Sequence, residues 1–341
     1  MNRASILLLV FLFLPFIQSC ITSQKTVMRN DPLIGKIIDV QNHKAIDFNT
    51  LIDRISAFDI IYLSEKHDNP DHHRFQEKII QALIDSGKKP AIGFEFFAMD
   101  NTPDLINFVE SGKTQHSDED IKFIETDLRR KLGWDTQSDE MWSYYLSLLN
   151  IARKNSLFAA GIDLGSTLKK RITRKGINGI SALESEQIFS TRMDNTAYKD
   201  YMFSIFKDVH CGMEHGNMQS RLYDTWVARN DKMAQSIVRM AKHHAPPVVI
   251  IIGGGHTRYG LGVIDRVSAI NKDLGQVNID LSEISTQPSE LSDYFDLLDL
   301  EGFAPVPPSD YMWFSQRVSY ADPCEEFKES LKKMKSSAGS K

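Results

Sequence analysis

Residues 60–96 read IIYLSEKHDNPDHHRFQEKIIQALIDSGKKPAIGFEF. Two short apolar runs, Ile60-Ile61-Tyr62-Leu63 and Ala91-Ile92-Gly93-Phe94, flank a stretch with helical periodicity. There Phe75, Ile79, Ile80, Leu83 and Ile84 fall at i, i+4, i+5, i+8 and i+9, one stripe of an amphipathic helix. Ser86-Gly87 follows, and a glycine suits the turn that ends a helix. The flanking runs are apolar without alternation, as strands covered on both faces are. Strand, helix, strand in this rhythm predicts an α/β fold: a mainly parallel central sheet flanked by helices.

Outward from this unit the pattern repeats. Leu157 to Ile162, Val248 to Ile252 (led by Pro246-Pro247) and Gln276 to Leu281 read as further strands. Between about 165 and 244 no comparable strand occurs, which predicts a helical insertion serving as a lid or partner surface. Trp142, Tyr144, Tyr145, Leu146 and Leu149 have helical spacing and read as core with no further role. Residues 34–327 are expected to form a single α/β domain, and the Lys- and Ser-rich 328–341 a flexible tail.

The N-terminus carries Arg3 and then an apolar run from Ile6 to Ile17. That run is shorter than the roughly 20 residues a bilayer span needs, and has the length of a signal-peptide core. It ends in Ile17-Gln18-Ser19-Cys20, which resembles a bacterial lipobox. The expectation is a signal peptide over 1–19, lipidation of Cys20, and a polar tether over 20–33. Two or more acyl chains hold a protein on a membrane where one does not. Ile21 in place of an aspartate resembles the sorting pattern for the outer membrane, with the face of that membrane left open.

Forty Lys and Arg against 45 Asp and Glu give a net charge of −5, which offers no electrostatic case for nucleic acid. Besides Cys20 the chain has only Cys211 and Cys324. Two thiols do not make a disulfide framework, and Cys211 sits among other metal-ligand side chains, so the pair is expected to stay unbridged.

Ligand sites in open α/β sheets lie outside the carboxyl ends of the strands. The predicted strands end in Ser64-Glu65-Lys66-His67, in Glu95, in Asp163 and in Gly253-Gly254-Gly255-His256. Singly, each such residue is most simply a helix cap or a surface ion pair. Together, Glu65, His67, Glu95, Asp163 and His256 predict one shared crevice. In an extended segment Glu65 and His67 point to the same side, and the glycines let the backbone approach a ligand closely. Two imidazoles with Glu65 or Glu95 make a divalent transition metal one candidate occupant. The stretch from His210 to Met218 adds soft ligands, among them His210, Cys211 and Met213. No Gly-x-Ser-x-Gly nucleophile turn and no phosphate-cradling loop is present.

The string Tyr62 to Pro70, with His72-His73 and Gln76, resembles the opening motif of the ChaN family of haem-binding lipoproteins. So do Gly93-Phe94-Glu95, Gly161-Ile162-Asp163, Arg174-Lys175-Gly176, His210-Cys211-Gly212-Met213, Met233-Ala234 and the block Gly253 to Val263. The resemblance spans roughly 45 to 285 in consistent order, with Ser64 where the family usually has glycine. It implies haem binding in iron acquisition, haem held by tyrosine at a homodimer interface, and an outer-membrane haem receptor as partner. Tyr223 and Tyr259 are the candidate ligands, with His210, Cys211, Met213 and Arg229 as further candidate contacts. The wider kinship, with Tiki and TraB proteins and erythromycin esterases, implies an alternative: a metal-dependent hydrolase using Glu65, His67, Glu95 and His256. Whether the chain is an enzyme stays open at this level.

Overall fold

The computed structural model describes residues 29–193, 195–212, 216–287, 289–322 and 324–325. β1 (Ile37–Asp39) and β2 (Lys44–Ile46) form a short antiparallel hairpin. α1 (Phe48–Ile55) starts at Asp47, whose carboxylate accepts the Thr50 N–H at 2.9 Å. β3 (Ile60–Glu65) leads into α2 (Pro70–Asp85). Asn69 caps that helix by accepting the Asp71 N–H at 2.9 Å, with Pro70 in the first helical position. Gly87, at φ +86°, takes the left-handed turn that ends it.

β4 (Ala91–Ala98) is followed by α3 (Thr102–Glu110), α4 (Asp118–Lys131) and α5 (Asp139–Lys154). After β5 (Ala159–Asp163) come α6 (Ser166–Lys175), α7 (Ala182–Ser185), α8 (Thr196–Val209) and the long α9 (Asn217–His243). β6 (Val248–Gly253), α10 (Ile264–Ile270), β7 (Gln276–Glu283) and β8 (Tyr311–Ser315) complete the order.

All eight strands join one sheet in the order β2-β1-β8-β7-β3-β6-β4-β5. The six from β8 to β5 are parallel, and the β1–β2 hairpin adds an antiparallel edge. The fold is therefore the expected α/β sheet. Alternate residues of each strand feed two cores. Ile61, Leu63, Ile92, Phe94, Val249 and Ile251 pack under helices α1 to α5. Ile60, Tyr62, Val248, Ile250 and Ile252 pack on the other face against Met233, Ala234 and Ile237 of α9 and Val267 of α10. A buried aliphatic side chain stabilises by roughly 1.5–3 kcal/mol, so β6, buried along its whole length, is a major contributor.

One expectation needs correction, and two regions add to the reading. The segment from 165 to 244 is helical with no strand among its described residues, as expected, and its α9 packs on the sheet beside α10 as part of the domain core. The region past Gln287, beyond the span of the family resemblance, supplies β8, lying between β7 and β1 with Met312, Trp313 and Phe314 buried. Cys211 and Cys324 are joined in a disulfide across 113 residues, against the expectation of unbridged thiols. Cysteine spacing carries no information about which distant segments the fold brings together.

Candidate functional site

β3 and β6 are adjacent and pair Glu65 with Gly253, so both strands end at one level. The pairing of β4 with β5 loses register between Phe94 and Ala98, and Glu95 lies within that irregular stretch. The five predicted residues at the strand ends fall into one connected network. Glu65 and His67 form its first half. Glu65 Oε1 accepts from His67 Nδ1 at 2.9 Å and from the Tyr145 hydroxyl, and Oε2 accepts from the Gln76 amide. Burial disfavours the His67 cation, but the Glu65 hydrogen bond and the charges of Glu95 and Glu65 outweigh it and raise its pKa. With Nδ1–H held by Glu65, His67 Nε2 is left without a hydrogen-bond partner among the described residues.

Glu95 anchors the second half. Its Oε2 accepts the Gly253 N–H at 2.6 Å; its Oε1 meets Arg229 Nη2 at 2.6 Å and His256 Nε2 at 3.2 Å. Burial pushes the Glu95 carboxyl up, but His256, Arg229 and His67 more than offset it and hold it well below the ordinary range. Arg229 also binds Asp163 through Nε at 2.9 Å, and Asp163 accepts from Lys169 Nζ at 2.7 Å. Burial holds His256 toward the neutral form. His256 Nδ1 donates to the Asn230 amide oxygen, Oδ1, at 2.6 Å. The Asn230 amide nitrogen is buried without a hydrogen-bond partner among the described residues. Trp226 stacks on the His256 ring at 4.1 Å.

The two halves touch across Gly253. A Cβ there would sit 2.8 Å from His67 Nε2 and 3.3 Å from Glu95 Oε2, so only glycine allows the approach. Ser64 does not loosen the turn: its hydroxyl is buried within 2.6 Å of both Thr257 Oγ1 and Asn278 Oδ1.

Above this polar floor opens a cleft of about 560 Å³. Its far wall is α8, through Tyr198, Tyr201, Met202, Ile205 and Phe206, joined by Trp226 and Leu261. Lys66, Arg258 and Asp280 stand at its edge. The Tyr198 hydroxyl accepts from Trp226 Nε1 at 2.9 Å, and burial drives its pKa up. The Tyr201 hydroxyl has no hydrogen-bond partner among the described residues, and burial with neighbouring Tyr259 raises its pKa.

The other candidates lie elsewhere. Tyr223 packs against Tyr198 and Phe203, and Tyr259 lines a separate pocket with Ile264 and Val306; neither lines the cleft. His210 Nδ1 donates to the Phe206 carbonyl at 2.7 Å. Cys211, being disulfide-bonded, offers no thiolate. Arg229 serves Glu95 and Asp163 of its own chain. Met213 and Cys20 lie outside the described residues. Gln76, quoted above as part of the family motif, joins the network through Glu65, while Tyr145, Trp226 and Asn230 were not read as site residues because they reach it from two other helices.

The metal expectation is not met. Among the described residues no group of three His, Cys, Asp or Glu is placed to hold an ion. The reason is local: Glu95 and His256 bind each other, and the Arg229 cation occupies the position beside Glu95 that a metal would need.

An apolar slot with one free phenol hydroxyl, and cations at its edge, fits a flat apolar group bearing carboxylates. A search of curated protein sequences finds no significant match. Among solved structures the fold is similar to that of ChaN of Campylobacter jejuni, described as showing cofacial haem binding, at TM-score 0.60 and 20% identity over 81% of this chain and 95% of that one. It is also similar to an erythromycin esterase mutant, EreC in its open conformation, at TM-score 0.41 and 12% identity over 81% and 83%. The family described as haem-binding uptake, Tiki superfamily, ChaN matches residues 51–267, more than half of the sequence. The chain belongs to that family.

Proposed function

We propose that the chain binds haem in the cleft between α8 and the ends of β3 and β6, as a membrane-anchored lipoprotein of haem and iron acquisition. The observation that carries this is the free Tyr201 hydroxyl on an otherwise apolar wall, facing a polar floor. Phenolate is a ligand for ferric haem, and of the two cleft tyrosines only Tyr201 has its hydroxyl uncommitted. Arg258, exposed and without an ion pair among the described residues, suits a propionate; Lys66 is already held by Asp68 and Glu283. When bound, haem supplies the iron centre; the chain supplies the slot, the phenol and the cations.

Family membership supports haem as the ligand. The lipobox-like ending at Cys20, followed by no apolar run long enough to span a bilayer, supports the anchor and an outer-membrane destination. The exposed cleft edge at Val209 suits closure by a second copy of the chain, and hand-over from an outer-membrane receptor fits the same opening.

Absorbance titration with hemin tests the reading. The wild type is expected to give a Soret shift that saturates at a fixed stoichiometry. Tyr201→Phe keeps the ring and its packing but removes the phenolate, so the tyrosinate charge-transfer band should vanish and affinity fall about tenfold or more. His67→Ala and His256→Ala should still bind. Scatter without saturation in the wild type would end the haem proposal; an unchanged Tyr201→Phe spectrum with loss in His67→Ala would move the ligand to His67.

A further inference from the structure

At the β5 edge of the sheet, away from the cleft at the ends of β3 and β6, a second groove of about 540 Å³ runs along β5 between α3 and α9. β5 is the terminal strand, and its small residues Ala160 and Gly161 leave the floor open. The walls are apolar: Pro103 and Ile106 from α3, Phe158 before β5, Met240 from α9. Every titratable side chain lining the groove is of the basic kind, namely Arg239, His243 and His244, although the chain as a whole carries a net charge of −5. Arg239 is exposed and has neither an ion pair nor a hydrogen bond among the described residues. An apolar trough that ends at an unpaired guanidinium is complementary to an apolar molecule with a single anionic head.

We propose that this groove binds a long-chain carboxylic acid, its acyl chain laid along Pro103, Ile106, Phe158 and Met240 and its head paired with Arg239. Guanidinium favours carboxylate because the two planar groups match in a bidentate pair. The surroundings reinforce the choice. His244 is stacked on Phe158 at 4.0 Å and burial holds it toward neutrality, so it closes the apolar trough rather than competing for the head.

The test is photocrosslinking of the full chain with palmitic acid carrying a terminal diazirine, with the labelled peptides mapped by mass spectrometry. Label is expected on α3 and on the last turns of α9, and excess oleate should suppress it whereas oleyl alcohol should not. Arg239→Gln should lower labelling at a subsaturating concentration about tenfold, the size expected for losing a charge-assisted hydrogen bond. Ile106→Glu, a second exposed position, should do the same by placing a like charge in the trough. Both variants leave the haem cleft untouched, so hemin titration should be unaffected. Label on α8, suppression by hemin, equal competition by the alcohol, or unchanged labelling in both variants would each overturn the assignment.

Discussion

The His72 imidazole accepts the Lys66 N–H at Nδ1 (2.9 Å) and reaches Ser315 Oγ with Nε2 (2.9 Å), wholly buried. It ties the loop after β3 to the last strand. Burial, with the charges of His73, Lys66 and His67, lowers its pKa from 6.5 to about 3. The native state therefore keeps it neutral where the unfolded chain takes up a proton. The contribution is complete above pH 6.5 and is lost as pH falls toward about 3. Denaturant titrations should show a loss of roughly 1–2 kcal/mol from this residue between pH 7.5 and 5, absent in His72→Gln. A wild-type midpoint with no more acid sensitivity than the variant would contradict it. At this scale the sequence was informative where apolar runs have clear ends. Glu65, His67, Glu95, Asp163 and His256 each follow such a run, and parallel strands bring those ends together. The tyrosines were not legible, because which of Tyr198, Tyr201 and Tyr223 meets the cleft depends on how α8 is rotated against α9. No periodicity within one helix encodes that rotation. Tyr145, read as core alone, is core and also donates to Glu65.

Among the elements, α8 packs chiefly against α9. It touches the domain through Tyr198, Met202 and partly buried neighbours that pack on Tyr223, Trp226 and Leu261, and its end carries exposed Val209. Two residues past that end, Cys211 is bonded to Cys324 near the far end of the described chain. The bond therefore pins the cleft wall to a segment beyond β8. The Cys211→Ser/Cys324→Ser double variant should lose about 2–4 kcal/mol of stability, by denaturant midpoint under oxidising conditions. Equal midpoints for the variant and the oxidised wild type would show that the wall is held by packing alone. Of the elements, α2 was legible to its C-terminal end: Ile79, Ile80 and Leu83 are buried as the stripe predicted, and Gly87 ends it, whereas its N-cap, Asn69, was not read. β8 was not. Tyr311-Met312-Trp313-Phe314-Ser315 has too few aliphatic residues to stand out after Pro307-Pro308, and its burial comes from strands far away in sequence.

For the whole molecule, the proposed anchor and the fold make separable predictions. Among the described residues no helix is long and apolar enough to cross a membrane. If acylated Cys20 is the attachment, Cys20→Ser should leave the membrane fraction or accumulate with its leader uncleaved, while a released domain still binds hemin. Wild-type fractionation with resistance to carbonate extraction would refute the lipid. The sheet carries a further consequence. β1, near the start of the chain, hydrogen-bonds only to β2 and to β8, whose residues 311–315 come near the end. At ~5–20 residues per second the ribosome delivers β8 on the order of tens of seconds after β1. Throughout that interval the nascent polypeptide cannot close its sheet, so the export that the proposed anchor requires would act on a chain whose first strand still lacks its partner.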